Sequence, residues 1–418
     1  MLLSHKTSVR LNCDYENILG HMCYAAYKLW NVCNYERYHY KELGLSEYPD
    51  WYYQKKAHKE DLWYKQLPSQ TAQEVCKLLD KSWKSFFALK KSGGIEHPNP
   101  PRFKQDKMVI TYMQNAIVHE NGSARIRLSL PKQLKEYMKM EYQINEQFLY
   151  LENKLFRDID VIKQIRLYPP RKGKCEMIII YEIGARTQKA DNDHYLSIDL
   201  GLHNLFTCYD SENGASFIIG RKYLSICHYY NKRIAKVQAQ WYNQQVKKGV
   251  KYPKSSKQIR RLYNRKNNTV KDYLHKITRY LVDYCKEQGI SRVVIGDIKN
   301  IRKNRDLGAV TNQKLHGLPY EKIYGMLEYK LIMEGIELIR WNEAYTSQCS
   351  VYAPEVSKKY AEKKNRRRRG LYKEGEIIYN ADAVGAYNIL KKYQMQYGKV
   401  RKMPVSGLSQ IQVQKVAV

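Results

Sequence analysis

The stretch YLSIDLGLHNLFTCYD, Tyr195 to Asp210, restricts the fold more than any other part of the chain. An apolar run climbs to Asp199, Gly201 follows two residues on, and a second alternating run leads into Asp-Ser-Glu-Asn-Gly. That pattern predicts strand, tight turn, strand, turn, so a sheet must form with an acid at the lip of its first strand. A carboxylate there faces outward from the sheet end, where two or three acids can share hard cations. Asp199 is therefore the first candidate ligand of a metal-dependent phosphodiester-cleaving site.

Charge narrows the partner. Lys and Arg total 73 against 41 Asp and Glu in 418 residues, a formal net charge of +32. An excess that large repels itself unless a polyanion neutralises it, which points to nucleic acid. No apolar run approaches the roughly 20 residues of a membrane span, so no membrane partner is expected. Met1 to Asn12 is too short and polar for a signal peptide, and the expected location is the cytoplasm. The nine cysteines include no C-x-x-C pair, which suits a reducing compartment and argues against a zinc ribbon.

Along the chain, Met1 to Leu11 alternates as a strand, and Asp14 to Tyr40 has a helical pattern. A second helix follows Leu67-Pro68 with Ser69 as its expected N-cap. Its Ala72, Val75, Cys76, Leu79, Trp83 and Phe86 keep helical spacing, and Gly93-Gly94 and the Pro98 to Pro101 cluster close the block. From Met108 to Ile183 the pattern becomes short alternating segments separated by turns, as in a small β barrel or sandwich. The N-terminal strand is expected to complete it, with the helices inserted between its strands. After a polar joint, the Asp199 hairpin is followed by two long basic helices within Arg221 to Gly289, then strand, helix, strand and helix. The fold class is thus α+β multidomain, ending in an α/β domain of ribonuclease-H type.

In-line phosphodiester hydrolysis needs charge stabilised on both the attacking and leaving oxygens, which acids holding two divalent ions supply. Asp382 opens the last helix, where a carboxylate also suits the helix dipole. SIDLGL, NEAYTSQCS (Asn342 to Ser350) and NADAVGAYNI (Asn380 to Ile389) together resemble the split RuvC nuclease core of TnpB proteins. These are transposon-encoded, RNA-guided DNA nucleases related to type V CRISPR effectors. LPSQTAQEVCKLLDKSWKSFF (Leu67 to Phe87) and PPRFK (Pro100 to Lys104) are similar to that family's recognition helix and the joint after it, so the resemblance covers essentially the whole chain.

The resemblance implies a wedge barrel from residues 1–12 and 105–187, a helical recognition domain from 13–104, and a RuvC-like domain from 188–346 and 380–400. Residues 347–379 would be a degenerate target-nucleic-acid-binding insert and 401–418 a C-terminal tail. It implies two magnesium ions, with manganese able to substitute, a transposon-derived guide RNA, double-stranded target DNA, a monomer and a prokaryotic cytoplasm or nucleoid.

Two departures matter. The family's middle acid normally ends the RVVIGDI strand, where this chain has Gly296 followed by Asp297. Neighbouring strands lie about 4.8 Å apart, so Glu343, just past the next parallel strand, could reach the same ions. The expected ligand set is Asp199, Glu343 and Asp382, with Asp297 as the alternative middle ligand. The family also carries two pairs of zinc-binding cysteines between Ser347 and Tyr379, where only Cys349 stands, so no zinc is expected. In their place KKNRRRRG supplies Lys363, Lys364, Arg366, Arg367, Arg368 and Arg369 as backbone contacts, joined by Arg102 and Lys104. The Lys-rich stretch Lys247 to Lys266 is expected to add phosphate contacts of the same kind. Gln73 is the first candidate for reading a target-adjacent motif, since its amide can bond adenine bidentately. Thr111, Tyr112, Gln114 and Asn115 are further candidates. The rival reading is a nuclease-inactive, RNA-guided DNA-binding repressor of the same fold, favoured by Gly296. A guide-independent junction or transposition nuclease is a third.

Overall fold

Strand β1 (Leu2–Arg10) opens the first of two compact units, Met1–Gly184 and Ala185–Val418, into which this computed structural model divides. The structure describes residues 1–93, 95–184, 186–298, 317–366, 370–399 and 402–417.

In the first unit the chain leaves β1 for helices α1 (Cys13–Tyr38), α2 (Trp51–Ala57), α3 (Leu62–Lys65) and α4 (Ser69–Ser92). It returns through β2 (Ile110–Met113), β3 (Ile117–His119), β4 (Arg125–Ser129), helix α5 (Lys132–Tyr142), β5 (Phe148–Glu152), β6 (Val161–Leu167) and β7 (Lys174–Glu182). β1 runs antiparallel along all of β7, from Leu2 opposite Glu182 to Arg10 opposite Lys174. The strands sort into two sheets, β1-β7-β6-β2 and β3-β4-β5, and no pairing joins them among the described residues. A continuous barrel ladder is therefore not what these strands form. The 3-10 turn Gln114–Ala116 breaks the run between β2 and β3, and α5 separates β4 from β5. Their inner faces share one core, in which Ile110, Leu128, Leu149, Ile165 and Ile179 are buried.

Asn12 caps α1 by accepting from the Tyr15 amide at 2.8 Å. The expected cap at Ser69 is displaced by one residue: Pro68 is the cap and Ser69 the first helical residue. Proline's fixed φ already points the chain into a helix there. Ala72, Val75, Cys76, Leu79 and Trp83 of α4 are buried, and Phe86 packs against them partly exposed. The short helices α2 and α3 and the two-residue buried stripe of α5, Leu134 and Met138, are too brief to give a periodic signal.

A fully buried ion pair lies inside this unit. Arg37 Nη1 meets Asp80 at 3.1 Å, and Arg37 Nε donates to Gln54 Oε1 at 2.9 Å. Removing one member of a buried pair strands the other charge, at about 3–5 kcal/mol. Asp80→Ala should lower the first unit's unfolding free energy by that order in urea titration. A loss below about 1 kcal/mol, the surface-pair range, would contradict it.

The second unit is built on a six-stranded sheet. β8 (Tyr195–Leu200), β9 (Phe206–Asp210) and β10 (Ser216–Ile219) form an antiparallel meander. Two long helices, α6 (Lys222–Lys247) and α7 (Lys257–Glu287), then carry the chain to β11 (Arg292–Gly296), which pairs parallel with β8. Helix α8 (Tyr320–Met333) crosses to β12 (Glu337–Trp341), parallel to β11. A hairpin of β13 (Leu371–Glu374) and β14 (Ile377–Asn380) precedes α9 (Ala381–Gln396), and β15 (Gln412–Gln414) ends the sheet. The strand order is β12-β11-β8-β9-β10-β15. Residues expected as a tail therefore supply the edge strand, parallel to β10, with Met403 and Leu408 buried and Tyr209 donating to the Pro404 carbonyl at 2.7 Å.

Strand alternation divides the side chains between two cores. Leu196, Ile198, Val293 and Ile295 pack with α6, α7 and α8. Tyr195, Tyr209 and Val294 pack with α9 and the end of the chain. Asp199 has the parity of Tyr195 and Ser197, so it points toward α9.

Candidate active site

Asp199 lies where β8 runs under α9. One residue pair earlier, Ser197 Oγ donates to the Ala386 carbonyl at 2.7 Å, fixing helix to strand. A Cβ on Gly385 would lie 2.8 Å from Asp199 Oδ2 and 3.3 Å from its Cγ. Glycine at 385 is thus what lets the helix cover this carboxylate. Burial, then the charges of Glu343 and Asp382, push Asp199 well above the usual carboxylate range, and Arg366 partly offsets them.

Glu343 follows β12 in a turn held from several sides. Thr346 Oγ1 donates to the Glu343 carbonyl at 2.8 Å, Tyr345 takes a left-handed φ of 69°, and Asn388 Nδ2 donates to the Thr346 and Cys349 carbonyls at 2.8 Å each. Asn388 belongs to α9, so the turn carrying Glu343 and the helix over Asp199 are tied together. A Cβ on Gly296 would lie 2.5 Å from Glu343 Oε2. The carboxylate of Glu343 therefore occupies the space into which a side chain at 296 would grow. Oε2 is buried without a hydrogen-bond partner, and burial followed by the charge of Asp297 raises the Glu343 pKa to about 7.

Asp382 sits in the first turn of α9, where Asn380 Oδ1 accepts from the Asp382 and Ala383 amides at 3.0 and 3.1 Å. Its Oδ2 accepts from Asn204 Nδ2 at 2.8 Å, and Arg221 Nε donates to Asn204 Oδ1 at 3.0 Å. Arg366 Nη2 stands 3.9 Å from Asp382 Oδ1. Asn204, Arg221 and Gly385 were not singled out from the sequence. Asn204 lies in the turn after DLG, and its carbonyl would stand 2.6 Å from a Cβ at Gly201, a closeness that spacing alone does not reveal.

The structure thus brings Asp199, Glu343 and Asp382 into one electrostatic neighbourhood on the α9 face. Asp297 adjoins Glu343, and its amide donates to the Trp341 carbonyl at 2.7 Å. Among the described residues no three His, Cys, Asp or Glu side chains close to ligand spacing. The orphaned Glu343 oxygen, the half-buried Asp199 carboxyl under α9 and the all-oxygen donors nonetheless fit hard divalent cations.

The remaining sequence candidates are spread out. Gln73 is partly exposed on α4, its Nε2 donating to Ser69 Oγ at 3.3 Å, and Gln114 and Asn115 are exposed in the turn after β2. The Thr111 carbonyl accepts from Thr71 Oγ1 at 2.8 Å. Tyr112 is a correction: it is fully buried and donates to the Ser129 carbonyl at 3.1 Å, so it belongs to the core and reads no base. Arg102 and Lys104 are exposed, and Lys104 Nζ stands 4.6 Å from the Trp30 ring. Lys364 pairs with Glu362 at 3.2 Å. The Lys363 side chain and Arg367, Arg368 and Arg369 lie outside the described residues.

With this geometry established, comparison with known proteins gives consistent matches. The OrfB_IS605 family model, described as a probable transposase, matches residues 178–302, and the Cas12f1-like TNB domain model matches residues 320–389. A protein of Escherichia coli K12 named as an RNA-guided DNA endonuclease, InsQ, is 24% identical over 362 residues, covering 84% of this chain and 81% of the relative. The TnpB-like protein MJ0751 of Methanocaldococcus jannaschii is 23% identical over 208 residues, 48% of this chain and 70% of that one. The fold matches the protein of a Cas12f1–sgRNA–target DNA complex at TM-score 0.59 and 12% identity, over 93% of this chain and 98% of that chain. The architecture is therefore a mixed α/β, multidomain fold similar to Cas12f1. Over most of its length the chain is thus similar to TnpB-like proteins and to a protein named as an RNA-guided DNA endonuclease.

Glu343 makes stability depend on pH. A carboxyl whose folded pKa exceeds its unfolded value adds stability at low pH, and that contribution is lost as pH rises through the folded pKa. The window runs from the ordinary 4.5 to about 7. In chelator, thermal unfolding should therefore show a melting temperature that falls across this window, and Glu343→Gln should flatten the fall. An equal slope in the variant would contradict the enclosed position of Glu343.

Proposed function

We propose that this protein is an RNA-guided DNA endonuclease of TnpB type. One observation carries the reading: the Glu343 carboxylate, its Oε2 buried without a hydrogen-bond partner, fills the place a side chain at 296 would take and bears on Asp199 together with Asp382. The meander, crossover strands and covering helix support reading this unit as a ribonuclease-H-like domain of RuvC type. Asp199, Glu343 and Asp382 would hold two magnesium ions, or manganese in their place. Bound there, such ions supply charge stabilisation for the attacking and leaving oxygens of a phosphodiester.

The chain's own groups prepare that chemistry. Gly385 and Gly296 make room for two carboxylates in a partly dry site, so their mutual repulsion favours cation uptake over ionisation alone. Arg221 orients Asn204, which fixes the rotamer of Asp382. Arg366 lies beside Asp382, within reach of a bound backbone phosphate. The basic surface of α6 and α7 would carry guide RNA, with base pairing selecting the DNA target. Gln73, Thr111, Gln114 and Asn115 of the first unit are proposed to read the flanking motif.

The rival, a nuclease-inactive repressor, rests on Gly296. The Glu343 carboxylate in that space argues against it. With guide RNA, magnesium and a plasmid carrying a randomised flank, wild type should cut. Asp199→Ala and Glu343→Ala should each lower cleavage at least about a hundredfold, while guided binding persists. The double variant Gly296→Glu/Glu343→Ala should recover part of the loss, because the new side chain enters the vacated space. Normal cutting by Glu343→Ala with loss in Asp297→Ala would instead make Asp297 the middle ligand.

Nucleic-acid affinity should fall steeply with salt, its logarithm linear in the logarithm of salt concentration. A flat response in filter binding would contradict a phosphate-tracking surface.

A further inference from the structure

Outside the acid site, the feature with the most unassigned chemistry is a cavity of about 550 Å³ in the first unit. That volume falls within the range of small-ligand pockets. α1 contributes His21 and Tyr24, α3 contributes Trp63, and α5 contributes Tyr137 and Tyr142. His21 stacks on Tyr137 with ring centroids 4.4 Å apart, and Tyr24 meets Trp63 edge-on at 5.5 Å. Tyr142, edge-on to Tyr137 at 6.2 Å, is half exposed, so the aromatic wall reaches the surface.

Aromatic rings in a small domain are usually core. Three observations set these apart. The space they surround stays open. Cations lie at its wall: Lys107 lines it beside the acid Glu16, with Nζ 3.1 Å from where a Cβ at Gly20 would stand, and Lys28 Nζ, behind the lining, is 5.3 Å from the Tyr24 ring centroid and 5.9 Å from that of Trp63. Third, two lining polar atoms, Gln66 Oε1 and His21 Nε2, are buried without a formed hydrogen bond, and Gln66 is only 4% exposed. The Gln66 side chain lies close enough to favour the His21 proton, but burial outweighs it and lowers the imidazole pKa, so His21 is neutral at pH 7. A neutral imidazole presents one donor and one acceptor.

Stacking faces, flanking cations and a buried polar pair are together what an unstacked base on a phosphate chain requires. We propose that this cavity receives one flipped nucleobase of a single-stranded nucleic acid, stacked within the Trp63–Tyr137 wall, with Gln66 and His21 at its edge and Lys28 and Lys107 at its phosphates. The inference rests on the nucleic-acid reading above. A guide RNA and a displaced DNA strand present the same chemistry, and the test separates them.

The full chain is irradiated with single-stranded oligouridylate carrying 5-iodouridine and, separately, with its deoxy counterpart, and cross-linked peptides are mapped by mass spectrometry. Affinities of wild type, Trp63→Ala and Tyr142→Ala are measured at several salt concentrations. The expected result is cross-linking at Tyr24, Trp63, Tyr137 or Tyr142 with one strand type, which identifies the source. Each variant should bind that strand about fivefold to a hundredfold more weakly. The salt slope should be unchanged, because the phosphate contacts remain. Tyr142 is half exposed, so its removal should leave the fold intact even if Trp63→Ala does not. If both strands bind, yet cross-links fall elsewhere and Tyr142→Ala binds as wild type does, the pocket inference is overturned and the nucleic-acid reading stands. If neither strand binds wild type, that reading fails and the pocket falls with it.

Discussion

Repulsion among half-buried carboxylates is the constraint on which the second unit turns. Asp199 is covered by α9, and the charges nearest in effect are those of Glu343 and Asp382. Like charges brought together out of water raise each other's pKa, and a fold accepts that cost only where something else fixes their positions. Here the fixing is done by neutral groups. Ser197 locks strand to helix, Asn388 ties the Glu343 turn to the same helix, and Asn204 holds Asp382. The backbone geometry is thereby set by contacts within the chain, and the electrostatic tension among the acids remains.

Two glycines make this arrangement possible, each for a steric reason. At 385 any side chain would meet the Asp199 carboxylate, and at 296 it would meet that of Glu343. Glu343 and Gly296 are thus a sterically matched pair: the missing side chain at 296 leaves the space that the Glu343 carboxylate fills.

The second unit was largely legible in the sequence. Parity along YLSIDL placed Asp199 on one face, and apolar runs ending at Gly296 and Trp341 marked parallel strands between long helices. Glu343 drew attention because it stands two residues beyond the end of β12. What could not be read were contacts made across the chain. Asn204 bonds Asp382 across 178 positions, and the closeness of Gly385 to Asp199 depends on how a helix crosses a strand. The edge strand Gln412–Gln414 was missed because three polar-flanked residues have no period to detect. In the first unit Tyr112 misled: it lies in the TYMQN segment expected to reach DNA, but even parity along β2 sends its ring into the core.

The central claim is that the acids gathered under α9 share divalent cations. Crystals of the full chain soaked in manganese would test it through the anomalous difference map. Two peaks about 3.5–4 Å apart, bounded by Asp199, Glu343 and Asp382, are the predicted result. Peaks that engage Asp297 and leave Glu343 unliganded, or no peak at Asp199 at saturating manganese, would contradict it.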